Sequence, residues 1–410
     1  MHLRLKQLIW IAAICATPLA LQAQQFSVDG HSFQVHGYVS QGFVDTGSGG
    51  NNWLTMNTSD GSLAMTEGAV NISTQITDKF RVGAQVYDRD FGQLGKWHPQ
   101  LDWAVADYRF TSWFGVRAGK VKTTFGLYND VQDMNFLATP ALLPQSIYPT
   151  DLRDGMLAHL GGDVYGKVSP KHLGTFSYTG FVGERRDGLY GGYIYLEQGS
   201  GIDFTSFGGL QYGGDLRWYT PLKGLLVGYS GMNQHILGTG TFSQFPPGVV
   251  FTQQSTKNQT NQFYAQYAVG KFRVDSEYRH YVYNVNLGNP QILWVFYDTT
   301  VPGWYLAGAY RVAKRLELGS YYSRMWAGYT TDYPGDVQPS TVSSPDRHCY
   351  DKVATARVDL NRYWNVKVEG HFMDGYGNTE VYPGGFYPQQ NPQGLKPKTN
   401  ALVIRTGFNF

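Results

Sequence analysis

Along most of this chain apolar and polar residues alternate one by one, in stretches of about ten residues bounded by turn-forming clusters. Phe272, Val274, Ser276 and Tyr278 alternate with Arg273, Asp275, Glu277 and Arg279. Val366, Val368, Gly370 and Phe372 alternate with Lys367, Glu369 and His371, and Val82, Ala84 and Val86 with Arg81, Gln85 and Arg89. Successive side chains of a strand point to opposite faces, so each stretch predicts a strand with one greasy and one charged face. Sixteen such strands are expected: Phe33–Asp45, Leu63–Ile76, Phe80–Phe91, Leu101–Phe110, Phe114–Thr124, Gly155–Lys167, Thr175–Glu184 and Ser206–Thr220, then Leu225–Leu237, Gln259–Val269, Phe272–Val285, Gly303–Ala313, Leu316–Ala327, Cys349–Leu360, Asn365–Tyr376 and Asn400–Phe410.

The connections alternate too. Short turns at Thr77–Lys79, Thr111–Trp113, Ser169–Gly174, Pro221–Gly224, Gly270–Lys271, Lys314–Arg315 and Asn361–Trp364 take turns with long loops such as Thr46–Ser62, Phe125–Asp154, Arg185–Thr205 and Gly377–Thr399. Short turns on one side of a membrane and long loops on the other are the pattern of an all-β, transmembrane antiparallel β-barrel. A soluble sandwich has no reason to sort its connections this way. About sixteen strands are expected, within a range of fourteen to eighteen, and an even count suits such barrels.

The charged parity must face water, because a basic side chain at mid-bilayer costs about 2–4 kcal/mol. Three or four such charges in one strand would rival the net stability of most domains, about 5–15 kcal/mol. A barrel of about sixteen strands is too wide for its own side chains to fill and leaves an aqueous channel. Passive diffusion of small polar solutes is the function this geometry implies.

Composition agrees. There are 30 Tyr, 23 Phe, 10 Trp and 50 Gly, with 16% charged residues against about 25% in ordinary domains. The mean hydropathy is nonetheless −0.33, as expected where polar residues hide in a wet lumen and aromatics form girdles. No run of apolar residues is long enough for a transmembrane helix. A net charge of +2 implies no nucleic-acid partner.

At the start, Arg4 and Lys6, the apolar run Leu8–Ala16 and the segment Ala20–Ala23 form the three-part pattern of a secretory signal peptide. Residues 1–23 are expected to be removed and residues 24–410 to form the barrel. In the last strand, Leu402, Ile404, Phe408 and Phe410 share one parity and Arg405 lies on the other. A strand this greasy needs partners on both edges, which closing the sheet on itself supplies. The terminal signature resembles that of Gram-negative outer-membrane barrels. In that family the ending, here Phe408 and Phe410, addresses the chain to the barrel assembly machinery. The resemblance also implies outer-membrane lipid as the surroundings and a homotrimer.

The fifth strand leads into Gly119, Lys122, Phe125 and Gly126, which resemble the Gly-x-x-Lys-x-Pro-Phe-Gly stretch of the phosphate-selective porins, with Thr124 in place of the proline. This resemblance covers about ten residues; it implies a porin and admits anions such as phosphate as solutes. Lys120 and Lys122 share parity with Val116 and Ala118, so either the strand bulges or the lysines lie at the headgroup rim. The loop Phe125–Asp154 carries Phe136, Leu137, Leu142, Leu143 and three prolines, too apolar for a free loop. It is expected to fold into the barrel, as in general porins, with a surface lid as the other reading.

The candidate pore-lining and constriction residues are Arg81, Arg89, Arg117, Lys122, Asp130, Asp133, Arg217, Arg273, Glu277, Arg279, Arg357 and Arg405. Counted on the lumen parity, nine basic residues face eight acidic ones, so the wall is no simple anion trap, and part of these charges are expected to pair with one another. The tyrosine- and tryptophan-rich parity reads as an interfacial girdle or a sugar slide. No Gly-x-Ser-x-Gly, His-Glu-x-x-His, cysteine pair or phosphate-binding loop occurs, so neither an enzyme nor a cofactor is expected. An adhesin or structural barrel is the competing class, with an outer-membrane hydrolase ranked behind it.

Overall fold

The alternating stretches form the strands they predict. The computed structural model describes residues 24–28, 30–132, 134, 136, 138–332, 344–377 and 386–410. The expected signal segment 1–23 lies outside the described residues. From the start, β1 (Gln24–Val28) leads into β2 (His31–Asp45), β3 (Ser62–Thr77), β4 (Phe80–Phe91), β5 (Gln100–Thr111) and β6 (Phe114–Lys122). Then come β7 (Ala158–Val168), β8 (Thr175–Arg186), β9 (Ile202–Tyr219), β10 (Leu225–Phe242), β11 (Phe251–Val269) and β12 (Phe272–Asn289). The remainder are β13 (Leu293–Ala313), β14 (Leu316–Trp326), β15 (Gly328–Thr331), β16 (His348–Asp359), β17 (Trp364–Asp374) and β18 (Lys398–Asn409).

Each strand from β2 to β14 pairs antiparallel with the next, β14 pairs with β16, and β16, β17 and β18 follow in turn. At the seam β18 returns to β2, with Ile404 opposite Phe43 and Phe408 opposite Val39. Sixteen strands therefore close a ring. Two short strands stand outside it: β15 pairs with Tyr297–Thr300 at the upper end of β13, and β1 folds back on β2. Past β18, Phe410 exchanges backbone hydrogen bonds with Gly37 at 2.9 and 3.1 Å. Beside it β1 takes over the same edge at Val35, so β1 and β18 lie end to end along β2.

Burial is turned inside out. Val39, Phe263 and Phe372 on the outer parity are each 56% exposed, whereas Glu369 and His371 are fully buried. A soluble fold would reverse this, because buried charge is costly and exposed apolar surface seeks cover. A hydrocarbon surround resolves the inversion. The boundaries differ from expectation on one flank. There β10 reaches Phe242, β11 starts at Phe251, β12 reaches Asn289 and β13 starts at Leu293, each well beyond the expected ends. These hairpins exceed the 9–11 residues needed to cross a bilayer. In water both faces are wet, so the two-residue alternation vanishes in runs such as Thr252–Lys257 while the backbone ladder continues.

Candidate functional site

The loop after β6 turns into the barrel at Gly126. Its φ is +60°, and a Cβ there would meet Gln262 Nε2 at 2.1 Å and Glu277 Oε2 at 2.6 Å. Only glycine supplies both that backbone and that clearance. From this bend the described residues between Gly126 and Leu152 form a strap held by strands on the far wall.

Strand β12 holds both legs of the strap with its four inward charges. Glu277 accepts the Leu127 N–H at 2.9 Å and the Tyr148 hydroxyl at 2.7 Å. Asp275 accepts the Tyr128 hydroxyl at 2.7 Å, and Arg273 donates to Thr139 Oγ1 at 2.7 Å. Arg279 donates to the carbonyls of Ile147 (2.8 Å) and Ser146 (3.0 Å). On the neighbouring flank Arg217 donates to the Gly126 carbonyl at 2.8 Å, with Asp215 at 3.0 Å and Asp130 at 3.8 Å as ionic partners.

A second anchor lies on β16, β17 and β18. Their register sets Arg357 beside Lys367 and Lys367 beside Arg405, three cations in one row. Like charges directly opposite one another are destabilising. Here each is aimed at a carbonyl of the strap: Arg357 at Ala138 (3.1 Å), Lys367 at Pro140 (3.0 Å) and Arg405 at Ala141 (3.0 Å). One rung on, Glu369 accepts the N–H groups of Ala141 (2.8 Å) and Leu142 (3.2 Å). Arg405 also pairs with Glu67 across the seam. The returning leg is fixed on β4, where Arg89 donates to the Thr150 carbonyl (3.1 Å) and pairs with Asp154 (3.3 Å).

The strap, which itself carries Asp130, thus gathers Arg89, Arg217, Arg273, Glu277, Arg279, Arg357 and Arg405 around itself. The other candidates fall elsewhere. Arg117 pairs with Asp163 at 2.7 Å and stacks on Tyr165, both on the adjoining strand β7. Arg81 donates to Ser73 at 3.1 Å on the neighbouring strand β3. Strand β6 pairs with β7 without a register shift, so Lys120 and Lys122 lie on the outward parity. There Lys122 sits 5.8 Å from the Trp103 ring and Lys120 donates to the Leu101 carbonyl. Asp133 lies outside the described residues.

A second inward segment was not anticipated from the sequence. Between β2 and β3, Trp53, Leu54 and Met56 pack into one apolar cluster with Ala141 and Leu142 of the strap and Met373 and Val403 of the wall. The Trp53 ring meets His371 at 4.9 Å, and the Asn51 and Asn52 side chains donate to the carbonyls of Lys396 and Gln390. Thr55 donates its N–H to the Tyr387 hydroxyl in the helix Phe386–Gln390, which packs with Leu196 of the helix Gly192–Gly199. The signal was available: Trp53-Leu54 and Met56 are as apolar for a loop as Leu142-Leu143.

No protein-family model matches the chain, and no curated protein matches its sequence. Similar solved structures include OmpF of Salmonella typhi in complex with daunomycin, at 12% identity and a TM-score of 0.55, covering 94% of this chain and 100% of that one. The outer membrane channel DcaP of Acinetobacter baumannii is 10% identical with a TM-score of 0.54 over 95% of this chain and 100% of its own. A loop-deleted form of OmpT, an outer membrane protein of Vibrio cholerae, is 13% identical with a TM-score of 0.52 over 93% and 100%. The likeness is one of fold, and with the apolar outer belt it makes this chain an integral outer-membrane barrel of the sixteen-stranded porin architecture.

Proposed function

We propose that the barrel is a porin that passes small hydrophilic solutes and ions by passive diffusion, with the strap 126–152 as its narrowest section. The observation that carries this reading is the tethering of strap backbone to inward charges on β4, β9, β12 and β16–β18. A strap tethered at many points across a wide barrel is a size filter. Anions such as phosphate are the finer reading, supported by the Gly119–Gly126 stretch. The pairing of Arg117, Arg217, Arg273, Arg357 and Arg405 with carboxylates speaks instead for weak selectivity. A homotrimer and recognition by the assembly machinery follow from likeness to porins alone.

Planar-bilayer recording of the purified protein tests the proposal: stable open channels are expected, and silence sinks it. Arg117 is 25% exposed at its side chain, so its charge is available to passing ions. Arg117→Gln leaves Asp163 unpaired and is expected to shift the reversal potential toward cations in dilute salt. The shift should fade near 1 M salt, where the Debye length is about 3 Å. An unchanged reversal potential in dilute salt would place the selective section away from β6 and β7.

Deleting Phe410 is expected to lower the amount of folded barrel in the outer membrane, since its backbone extends the seam at Gly37. Channels that do form should conduct as before. Equal amounts of folded wild type and deletion variant would count against an assembly role.

A further inference from the structure

The outer face of the barrel carries a groove of about 500 Å³ across β12, β13, β14, β16 and β17. Its floor is a row of small outward residues set by the register: Gly308 opposite Ser320, Ser320 opposite Ala354, and Ala354 opposite Gly370. Leu306, Tyr322 and Phe372 form its upper lip, and Leu306 and Phe372 are more than half exposed. The floor is not kept small by the chain's own packing. A Cβ on Gly308 would meet nothing within 4 Å, and one on Gly370 only the Phe372 ring at 3.9 Å. Glycine weakens a strand interior and marks places where something else approaches closely.

Lys352 stands in the upper lip itself, and Arg324 lies above it toward the long loops, on the same outward face. Lys352 lies between Tyr322 and Phe372, and Arg324 stacks on Tyr350 at 4.2 Å. Inside the barrel Arg117, Arg217, Arg273, Arg357 and Arg405 pair with carboxylates. Among the described residues, neither Lys352 nor Arg324 has an ion-pair partner. Two unpaired cations at the aromatic rim above an unfilled apolar groove are complementary to one kind of molecule, an anionic headgroup with an acyl chain beneath it.

We propose that this groove binds a phosphorylated glycolipid of the outer leaflet, with its phosphate between Arg324 and Lys352 and an acyl chain over Gly308, Ser320 and Ala354. The long-loop side of the barrel faces the outer leaflet, which selects the glycolipid over an inner-leaflet phospholipid. This rests on the outer-membrane placement and not on channel activity.

The test is lipid retention by the purified full-length barrel, measured by native mass spectrometry with added lipid A, dephosphorylated lipid A or phosphatidylglycerol. Lipid A is expected to be retained in preference to the other two. In the Arg324→Gln/Lys352→Gln double variant its retention should fall about tenfold. Gly308→Leu, which has open space to occupy, should fill the groove and lower retention while leaving the heat-modifiable fold and single-channel conductance unchanged. Equal retention of the dephosphorylated lipid, or of phosphatidylglycerol, overturns the proposal. So does loss of an oligomer in Gly308→Leu, which would make a second copy of the chain the occupant. Should the double variant fail to fold, Gly308→Leu decides alone.

Discussion

Deletion of residues 132–141 is expected to raise single-channel conductance about twofold by clearing the narrowest section of the lumen. The deletion removes the carbonyls of Ala138, Pro140 and Ala141, the partners of Arg357, Lys367 and Arg405. Three adjacent cations then face a widened, water-filled lumen. Fields are focused between low-dielectric walls, so the wider pore should also favour anions more than the wild type does. Both changes appear in one bilayer experiment, as step size and as reversal potential in a salt gradient. A lidlike surface loop predicts neither: unchanged steps with unchanged selectivity would mean that the strap does not limit flow.

Glu369→Ala is expected to destabilise the folded barrel by about 3–5 kcal/mol, the range for removing one member of a buried charged network. Glu369 is fully buried and accepts from two strap N–H groups. Its Oε1 lies 3.0 Å from Nε2 of His371, whose Nδ1 lies 2.7 Å from Asp351. Alanine strands both N–H groups, opens a cavity under Ala141 and Leu142, and leaves Arg405 and Lys367 with one nearby anion fewer. Glu369→Gln keeps a carbonyl acceptor and should cost clearly less. Urea unfolding followed by loss of the heat-modifiable form measures both variants. A Glu369→Ala midpoint equal to that of the wild type would show that the strap is not tethered there.

The barrel was legible because alternation is enforced by the bilayer. Every lipid-facing residue of a crossing segment is constrained, so the parity of Phe272–Arg279 or Val366–His371 leaves little freedom. The site was legible only in part. Arg217, Arg273, Arg279, Arg357 and Arg405 can be assigned to the inner face by parity, yet in the strap all but Arg273, which donates to the Thr139 hydroxyl, bond to backbone groups of a distant loop. Backbone carbonyls have no sequence signature. The row Arg357–Lys367–Arg405 likewise depends on register between strands joined by long loops, which single-strand periodicity does not encode. The segment Asn51–Met56 was missed because a loop carries no period; only its tryptophan, leucine and methionine hinted at burial. On the tall flank, β10–β13 outgrew their expected lengths once outside the bilayer, where alternation no longer marks a strand.

The seam has a kinetic consequence. Arg405 and Ser40 hydrogen-bond across 365 positions of chain, whereas most other strand pairs are hairpin neighbours. Loop-closure entropy grows slowly, about 0.6 kcal/mol per doubling of length, so the long span itself is no great obstacle at equilibrium. In time it matters more, because non-local pairings form late and leave open edges until they do. The free edges of β2 and β18 are therefore the last to meet, and until then the sheet is a sticky, unclosed ribbon. A chain opened at the turn Gly270–Lys271, with its old ends linked, would keep the rungs of the ladder and move the late-forming junction to β11 and β12. Its closure rate would change while its finished stability stayed near that of the original.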